Sequence, residues 1–394
     1  MQTLLTQKLS YFLQTLFAQK IEQKINKEKR LEEKMSEEKT LAKKGQIGLV
    51  NLGNTCFLNS ALQLLRQSKQ LRAYFQSSDW EKGVNQSKYA PMVEPISALI
   101  KSIWREDLQK GTRISPGKFY TILTDIAAKV GYDDLAVKYR QCDAGEALLF
   151  LVDCLHEGLA HTVEMAVTGV PVTPEEKRLH TSYTQWTKHY KKQWSVVAKV
   201  FHGQKMSAIT CKKCQYHSEN FESWNSLSIP ILNGTVPGSP APTLMQCLGE
   251  YFKDETIDDY HCESCGNKQA ANHTIRLSIL PKNLILIINR FTNMGQKVRA
   301  KIDFNLDVLD LDNWFIGNKD KTNTVYKTVS VIDHRGIMQG GHYYASSRDD
   351  TDQKQWIRYD DDGVGEMPTE HVNNGDTYVI LLEQQNDESP QKGK

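Results

Sequence analysis

Cys56 closes a tight polar turn, Gly48-Leu49-Val50-Asn51-Leu52-Gly53-Asn54-Thr55, and opens a run in which Leu58, Ala61, Leu62 and Leu65 recur at helical spacing. Gly53, Asn54 and Thr55 read as turn and capping residues, which puts Cys56 at a helix N-terminus. The free amide groups there favour a thiolate, the nucleophilic form of a side chain whose ordinary pKa is about 8.5. A buried structural cysteine is the competing reading, since free cysteine is among the most buried residue types.

A nucleophilic thiol needs a base, and eleven histidines compete for that role. His180 and His189 fall in a polar helical stretch. His217, His261 and His273 lie near cysteine pairs as surface residues or spare ligands. His334 and His342 stand apart, and Gly340-Gly341-His342-Tyr343-Tyr344 sets the second at a strand start, where glycines allow close backbone approach. Downstream, Trp356-Ile357-Arg358-Tyr359 runs into Asp360, Asp361 and Asp362. If the two strands are neighbours, one of these carboxylates can fix the imidazole tautomer. Taken alone, three acids before Gly363 are more often just a turn.

Cys211-x-x-Cys214 and Cys262-x-x-Cys265 are two knuckles about fifty residues apart. Four thiolates complete a tetrahedral zinc shell with no open position, so the expected metal is structural. A redox pair and a nucleic-acid-binding finger are the alternatives. Against the second, Lys212 and Lys213 are the only clustered basic residues in the knuckles, with no basic-aromatic interleaving after them.

The elements that must position these residues change character along the chain. Residues 1–45 carry Leu5, Leu9, Leu13, Phe17, Ile21 and Ile25 at fours, followed by a Lys/Glu-rich stretch. This reads as an amphipathic helical extension that meets a partner or a membrane surface, or packs on the rest. Residues 46–160 read as mostly helical, with helices over 89–104 and 116–129. In Gln141-Cys142-Asp143-Ala144-Gly145-Glu146-Ala147, Asp143 and Glu146 share a helix face, either as helix-capping acids or as a site for a cation. Thr173-Pro174-Glu175-Glu176 starts a helix running to about 194. Strands are expected at 196–200, 221–229, 274–280, 284–290, 326–332, 343–346, 356–359 and 378–382, a loop at 232–243 and a capped helix at 243–252. Residues 385–394 read as a disordered tail.

The 394 residues allow a sizeable core, and 49 basic against 47 acidic residues give no nucleic-acid or membrane footprint. Eight cysteines are too few for a disulfide scaffold. No run approaches the roughly 18 apolar residues of a membrane span. A free nucleophilic thiol beside thiolate ligands suits a reducing compartment, cytoplasm or nucleus, or a host cytosol for a secreted microbial effector.

The stretch Gly48-Leu49-x-Asn51-x-Gly53-x-Thr55-Cys56-x-x-Asn59-Ser60 resembles the cysteine box of the ubiquitin-specific proteases, the papain-like deubiquitinases. Val331-Ile332-Asp333-His334-Arg335-Gly336, then Gly341-His342-Tyr343, then Trp356-x-x-Tyr359-Asp360-Asp361 resemble the histidine box. Phe201-x-Gly203, the cysteine pairs, 221–230, 281–291 and 377–382 match further segments, so the likeness covers about 46–384. The resemblance implies an α+β, papain-like right hand: a thumb over 46–165, zinc-bearing fingers over 200–275, and palm and connections over 166–199 and 276–384.

It implies a thiol-dependent ubiquitinyl hydrolase with Cys56 as nucleophile, His342 as base and Asp360 as orienting acid, with Asp361 its possible substitute. Asn51 would donate to the oxyanion, and His334 would be non-catalytic. Asp143 and Glu146 would meet the arginines of ubiquitin's tail, zinc would be the structural ion, and ubiquitin and ubiquitinated proteins would be the partners. Gly145 and Ala147 depart from the larger residues usual in that segment, which predicts an altered tail groove. Alternative functions are a catalytically weak ubiquitin-binding scaffold and a zinc-dependent nucleic-acid binder.

Overall fold

The structure is a computed structural model and describes residues 41–232, 240–292, 294–337 and 340–385. Most of the helix expected over 1–45 and of the tail over 385–394 lies outside the described residues. Residues 41–45 are described and are not helical: Leu41 bridges Gln109, and the Ala42 N–H donates to the Leu108 carbonyl at 2.8 Å. At the other end the Gln385 N–H donates to the Val325 carbonyl at 2.9 Å, so the first residue of the expected tail is held by backbone pairing.

The first half of the chain is helical. Strand β1 (Gly48–Leu49) is followed by α1 (Cys56–Leu65), α2 (Lys69–Gln76), α3 (Trp80–Gly83) and α4 (Val93–Ile103). Strand β2 (Arg113–Ile114) pairs in parallel with β1 and precedes α5 (Gly117–Val130), α6 (Asp133–Ala136) and α7 (Ala144–Leu159). Next come α8 (Pro174–Tyr190), opened by a capping box between Thr173 and Glu176, and α9 (Val196–Phe201).

Residues 196–200 were expected as a strand and form α9 instead. Ser195 caps it, its Oγ accepting from the Ala198 N–H at 3.1 Å, and Val197, Ala198, Val200 and Phe201 are buried. The β-branched side chains lose at most about 0.7 kcal/mol each in a helix, whereas burying each large apolar side chain gains about 1.5–3 kcal/mol. Packing overrides propensity here.

Strands dominate afterwards. β3 (Gly203–Cys211), β4 (His217–Trp224) and β5 (Leu227–Pro230) precede α10 (Leu244–Tyr251), which has its own capping box from Thr243 and Gln246. Then follow β6 (Glu255–Cys262), β7 (Asn267–Ile279), β8 (Asn283–Asn289), β9 (Leu309–Asp310), β10 (Val325–Ile337), β11 (Gly340–Arg348), β12 (Trp356–Asp360), β13 (Gly363–Met367) and β14 (Thr377–Gln384). The run 221–229, read as one strand, is two strands in different sheets: β4 pairs with β3, and β5 runs parallel to β8.

The smaller sheet, in order β4-β3-β7-β6, is antiparallel and carries both cysteine knuckles at one end. The larger sheet runs β13-β12-β11-β10-β14-β8-β5, with β9 on β10. Both of its faces are covered, and the two-residue period of a strand sorts its side chains. On β14, Val379 and Leu381 join the core of the helical half, while Ile380 and Leu382 join a second core with α10, β5 and β8. Helix α1 lies between the helices and this sheet with all ten residues buried. Of its polar side chains, Gln63 donates from Nε2 to the Ile47 carbonyl at 2.9 Å. The cysteine-bearing helix is therefore fixed at the centre of the molecule.

Candidate active site

The turn ahead of α1 is built by one asparagine. Asn51 Oδ1 accepts from the Gly53 N–H at 2.9 Å and the Thr55 N–H at 3.2 Å, and Gly53 and Asn54 take positive φ of 102° and 56°. The turn agrees with the sequence reading, but Thr55 is not a side-chain cap. Its hydroxyl accepts from the Leu52 N–H at 2.9 Å and donates to Asn51 at 3.2 Å, back into the turn. Cys56, the first residue of α1, is 3% exposed.

β11 and β12 are antiparallel neighbours with Ala345 opposite Tyr359, which brings His342 beside Asp360. His342 Nε2 meets Asp360 Oδ1 at 2.5 Å, so Nδ1 is the ring nitrogen left for Cys56. The bond to Asp360 first, and the nearby Cys56 second, push the His342 pKa up to about 10 against the opposing effect of burial. Arg358 donates to the other oxygen of Asp360, whose pKa is lowered by His342 first and Arg358 after it.

Asp361 has a different job. Its backbone takes φ of 52°, its Oδ2 accepts from Asn51 Nδ2 at 2.8 Å, and its Oδ1 accepts from Asn59 Nδ2 of α1 at 2.8 Å. The Leu49 N–H donates to its carbonyl at 2.9 Å. One acid thus ties the β12–β13 turn to β1, the cysteine turn and α1. Asn51, expected as an oxyanion donor, spends one amide proton on this tie; the other has no partner among the described residues. Gly48 permits the close approach, since a Cβ there would stand 2.4 Å from the Asp362 carbonyl oxygen.

Beside this group lies a cavity of about 420 Å³ lined by Asp134, Gln141, Asp143, Glu146 and Tyr378 among others. Asp143 caps α7, its Oδ1 accepting from the Glu146 N–H at 2.9 Å, while Oδ2 accepts from the Tyr378 hydroxyl at 2.7 Å and the Tyr343 hydroxyl at 3.4 Å. Capping and cavity lining are thus both met by Asp143. Glu146 is exposed, and partial burial, with Asp143 and Asp134 adding, raises its pKa. Ala147 is fully buried in the core and does not reach the cavity. Gly145 borders Asp143 and Tyr378: a Cβ would lie 3.1 Å from Asp143 Oδ1. His334 is also at the cavity, its ring 4.5 Å from Tyr343 and 5.4 Å from Phe291, and burial depresses its pKa to about 4.

Sequence reading passed over Gln141, Asn59 and the tyrosine pair. Gln141 Nε2 stands 3.8 Å from Cys56 Sγ and donates to the Gly341 carbonyl, across 200 residues of chain. Its place two residues before the α7 cap was visible; its partner was not.

Cys211, Cys214, Cys262 and Cys265 converge with their sulfurs within 4.8 Å of one another. Cys211 ends β3 and Cys262 ends β6, and Gln215 and Gly266, at φ of 62° and 68°, turn the chain after the second cysteine of each knuckle. This set fits one metal ion. Two of the three histidines nearby bond elsewhere: His217 Nδ1 meets Thr210 at 2.9 Å and His273 Nε2 meets Ser207 at 2.9 Å.

Bovine ubiquitin carboxyl-terminal hydrolase 2 is 30% identical over 351 residues, covering 86% of this chain and 55% of that protein. Rat ubiquitin carboxyl-terminal hydrolase 21 is 27% identical over 362 residues, covering 86% and 61%. The chain thus spans little more than half the length of these curated relatives. Among solved structures, the SAGA DUB module containing Ubp8, bound to ubiquitin aldehyde, aligns with a TM-score of 0.66 at 23% identity, covering 87% of this chain and 70% of that one. The same module bound to monoubiquitin aligns with a TM-score of 0.65 at 21% identity, covering 88% and 71%. These likenesses show the fold to be the α+β papain-like one that the resemblance implied. The family model described as ubiquitin carboxyl-terminal hydrolase matches residues 47–382, and the chain belongs to that family.

Proposed function

We propose that the chain is a thiol-dependent deubiquitinase that hydrolyses the isopeptide or peptide bond after the C-terminal glycine of ubiquitin. The observation that carries this reading is His342, bonded to Asp360 at 2.5 Å and near enough to Cys56, at the head of a buried helix, for the thiol to help raise its pKa. Ubiquitin enters by analogy with the family and with the ubiquitin-bound neighbours.

An imidazolium beside a thiol favours the thiolate. Cys56 attacks the carbonyl carbon of the terminal glycine, and the carbonyl oxygen becomes an oxyanion. The Cys56 N–H, which as the first of a helix has no intrahelical acceptor, and the second amide proton of Asn51 are the donors this reading assigns to it. Each such donor lowers the barrier by roughly 2.7–4 kcal/mol. His342 passes its proton to the departing lysine amine and then takes one from the water that hydrolyses the thioester. Asp360 keeps the ring oriented throughout. Asp361 is the tie that aims Asn51 rather than a substitute for Asp360.

In this reading the helices of 46–165 are the thumb, the small sheet in 200–275 the fingers, and 166–199 with 276–384 the palm and connections. Asp143 and Glu146 offer carboxylates to the basic residues of the tail. The four cysteines hold zinc, which braces the fingers and supplies no step of the reaction. The intact tie of Asp143 to Tyr378, and the burial of Ala147 away from the cavity, favour an active enzyme over a scaffold.

A ubiquitin bearing a C-terminal electrophile tests the reading. Wild type should be labelled, and Cys56→Ala should be neither labelled nor able to cleave conjugates. Retained cleavage in Cys56→Ala would sink the proposal.

A further inference from the structure

The cavity beside the catalytic group stops short of it. Gln141 and Gly341 line it, but neither Cys56 nor His342 does. What stands between is the Gln141 carboxamide. Its Nε2 donates to the Gly341 carbonyl, its Oε1 accepts from the Gly341 N–H at 3.3 Å, and Nε2 is 3.8 Å from Cys56 Sγ.

That pair of bonds has the pattern of a strand. In an antiparallel ladder, two opposed residues exchange both N–H···O bonds. Gly341 faces Gly336 of β10 on one side. On its other side β12 pairs with β11 only through Ala345 to Arg348, so the edge of β11 at Gly341 lies beyond the end of β12. A donor and an acceptor on an open edge are a place for one residue of an added extended peptide. Gln141, with one N–H donor and one C=O acceptor on a single planar group, fills that place. Gly341 itself has no room for a side chain, since a Cβ would stand 2.2 Å from His334 Nε2 and 2.4 Å from the Arg335 carbonyl oxygen. The position is therefore open to backbone recognition alone.

We infer that Gln141 is a peptide-mimicking gate: its carboxamide occupies the Gly341 backbone pair that the substrate's terminal residues must take, and swings aside as the tail threads from the cavity to Cys56. The inference deepens the deubiquitinase reading and rests on it for the identity of the tail. The loop that carries Gln141 stays in place, because Asn54 Nδ2 of the cysteine turn donates to the Tyr139 carbonyl at 2.9 Å. Only the side chain has to move. The gate also shields the thiol in the absence of substrate.

Two probes on the full chain test this. Iodoacetamide reads access to Cys56 without ubiquitin, and a ubiquitin C-terminal electrophile reads tail entry. A gate open about a tenth of the time reduces apparent association about tenfold. Gln141→Ala should therefore raise both labelling rates by up to about tenfold. Gln141→Leu keeps the bulk and loses both hydrogen bonds, and should raise the ubiquitin-probe rate while leaving iodoacetamide labelling slower than in Gln141→Ala. A more than tenfold fall in kcat with KM unchanged in Gln141→Ala would make Gln141 a catalytic donor and overturn the gate. Unchanged rates with both probes would overturn it too, as would a ubiquitin-probe rate in Gln141→Leu no faster than wild type. If wild type takes iodoacetamide at Cys56 but not the ubiquitin probe, the deubiquitinase reading fails, and the iodoacetamide comparison still decides whether Gln141 covers the thiol.

Discussion

Removing Asp360 and removing its neighbour Asp361 should damage different things. In Asp360→Ala the His342 ring loses the bond that contributes most to lifting its pKa to about 10, and the value falls toward the ordinary 6.5. A raised pKa keeps the ring protonated up to the raised value, so deleting the acid closes that window from above. The alkaline limb of kcat/KM should move from about 10 toward neutrality, with kcat lower by about 10²–10⁴-fold.

In Asp361→Ala the ring keeps Asp360 and the limb stays. What is lost is a pair of 2.8 Å bonds from Asn51 and Asn59. A hydrogen bond to a charged group contributes about 1.5–3 kcal/mol when buried, and less where water screens it. Asn51 is exposed, whereas Asn59 is 2% exposed and keeps only the Leu49 and Val50 carbonyls at 3.3 and 3.4 Å. The expected cost is about 2–3 kcal/mol of stability, or a melting temperature lower by about 3–4 °C in a chain of this length. The freed Asn51 amide should lower kcat about tenfold. Hydrolysis of a fluorogenic ubiquitin C-terminal amide from pH 5 to 10.5, with thermal melts of both variants, measures all of this. If Asp361→Ala moves the alkaline limb as far as Asp360→Ala does, the two acids are interchangeable and the division of labour is wrong.

Three further outcomes follow from the same geometry. Gly341→Ala forces a methyl against His334 and the Arg335 carbonyl; it should lower kcat/KM by about 10²-fold by displacing His342, read in the same fluorogenic assay. Asp143→Ala removes the α7 cap and the acceptor for Tyr378 and Tyr343; it should cost about 1 kcal/mol in denaturant melts and raise KM more than it lowers kcat. Metal chelation, or Cys262→Ser, should lower the melting temperature and weaken ubiquitin binding while iodoacetamide still alkylates Cys56, because the cysteine cluster sits at the end of the small sheet. Loss of alkylation on chelation would mean that the metal supports the catalytic cleft itself.

Local chemistry along the chain was enough for some of this protein. The helix opening at Cys56, the capping boxes at Thr173 and Thr243, and the short β-branched and apolar runs of β8, β10 and β14 are set by residues within a few positions of one another, and local pattern and composition report them. The cysteine pairs announced their own chemistry through ligand spacing. Where the sequence misled, tertiary packing had outweighed a local preference: Val196 and Val197 favour a strand, but burial of Val197, Ala198, Val200 and Phe201, with the Ser195 cap, made α9. The division between Asp360 and Asp361 was beyond one-dimensional reading. Two identical side chains in adjacent positions differ only in that β12 ends between them, sending one toward His342 and the other, through a left-handed turn, toward Asn51 and Asn59. Gln141 was hidden for the same reason: its carboxamide means nothing until the fold lays the open edge of β11 against it, 200 residues downstream.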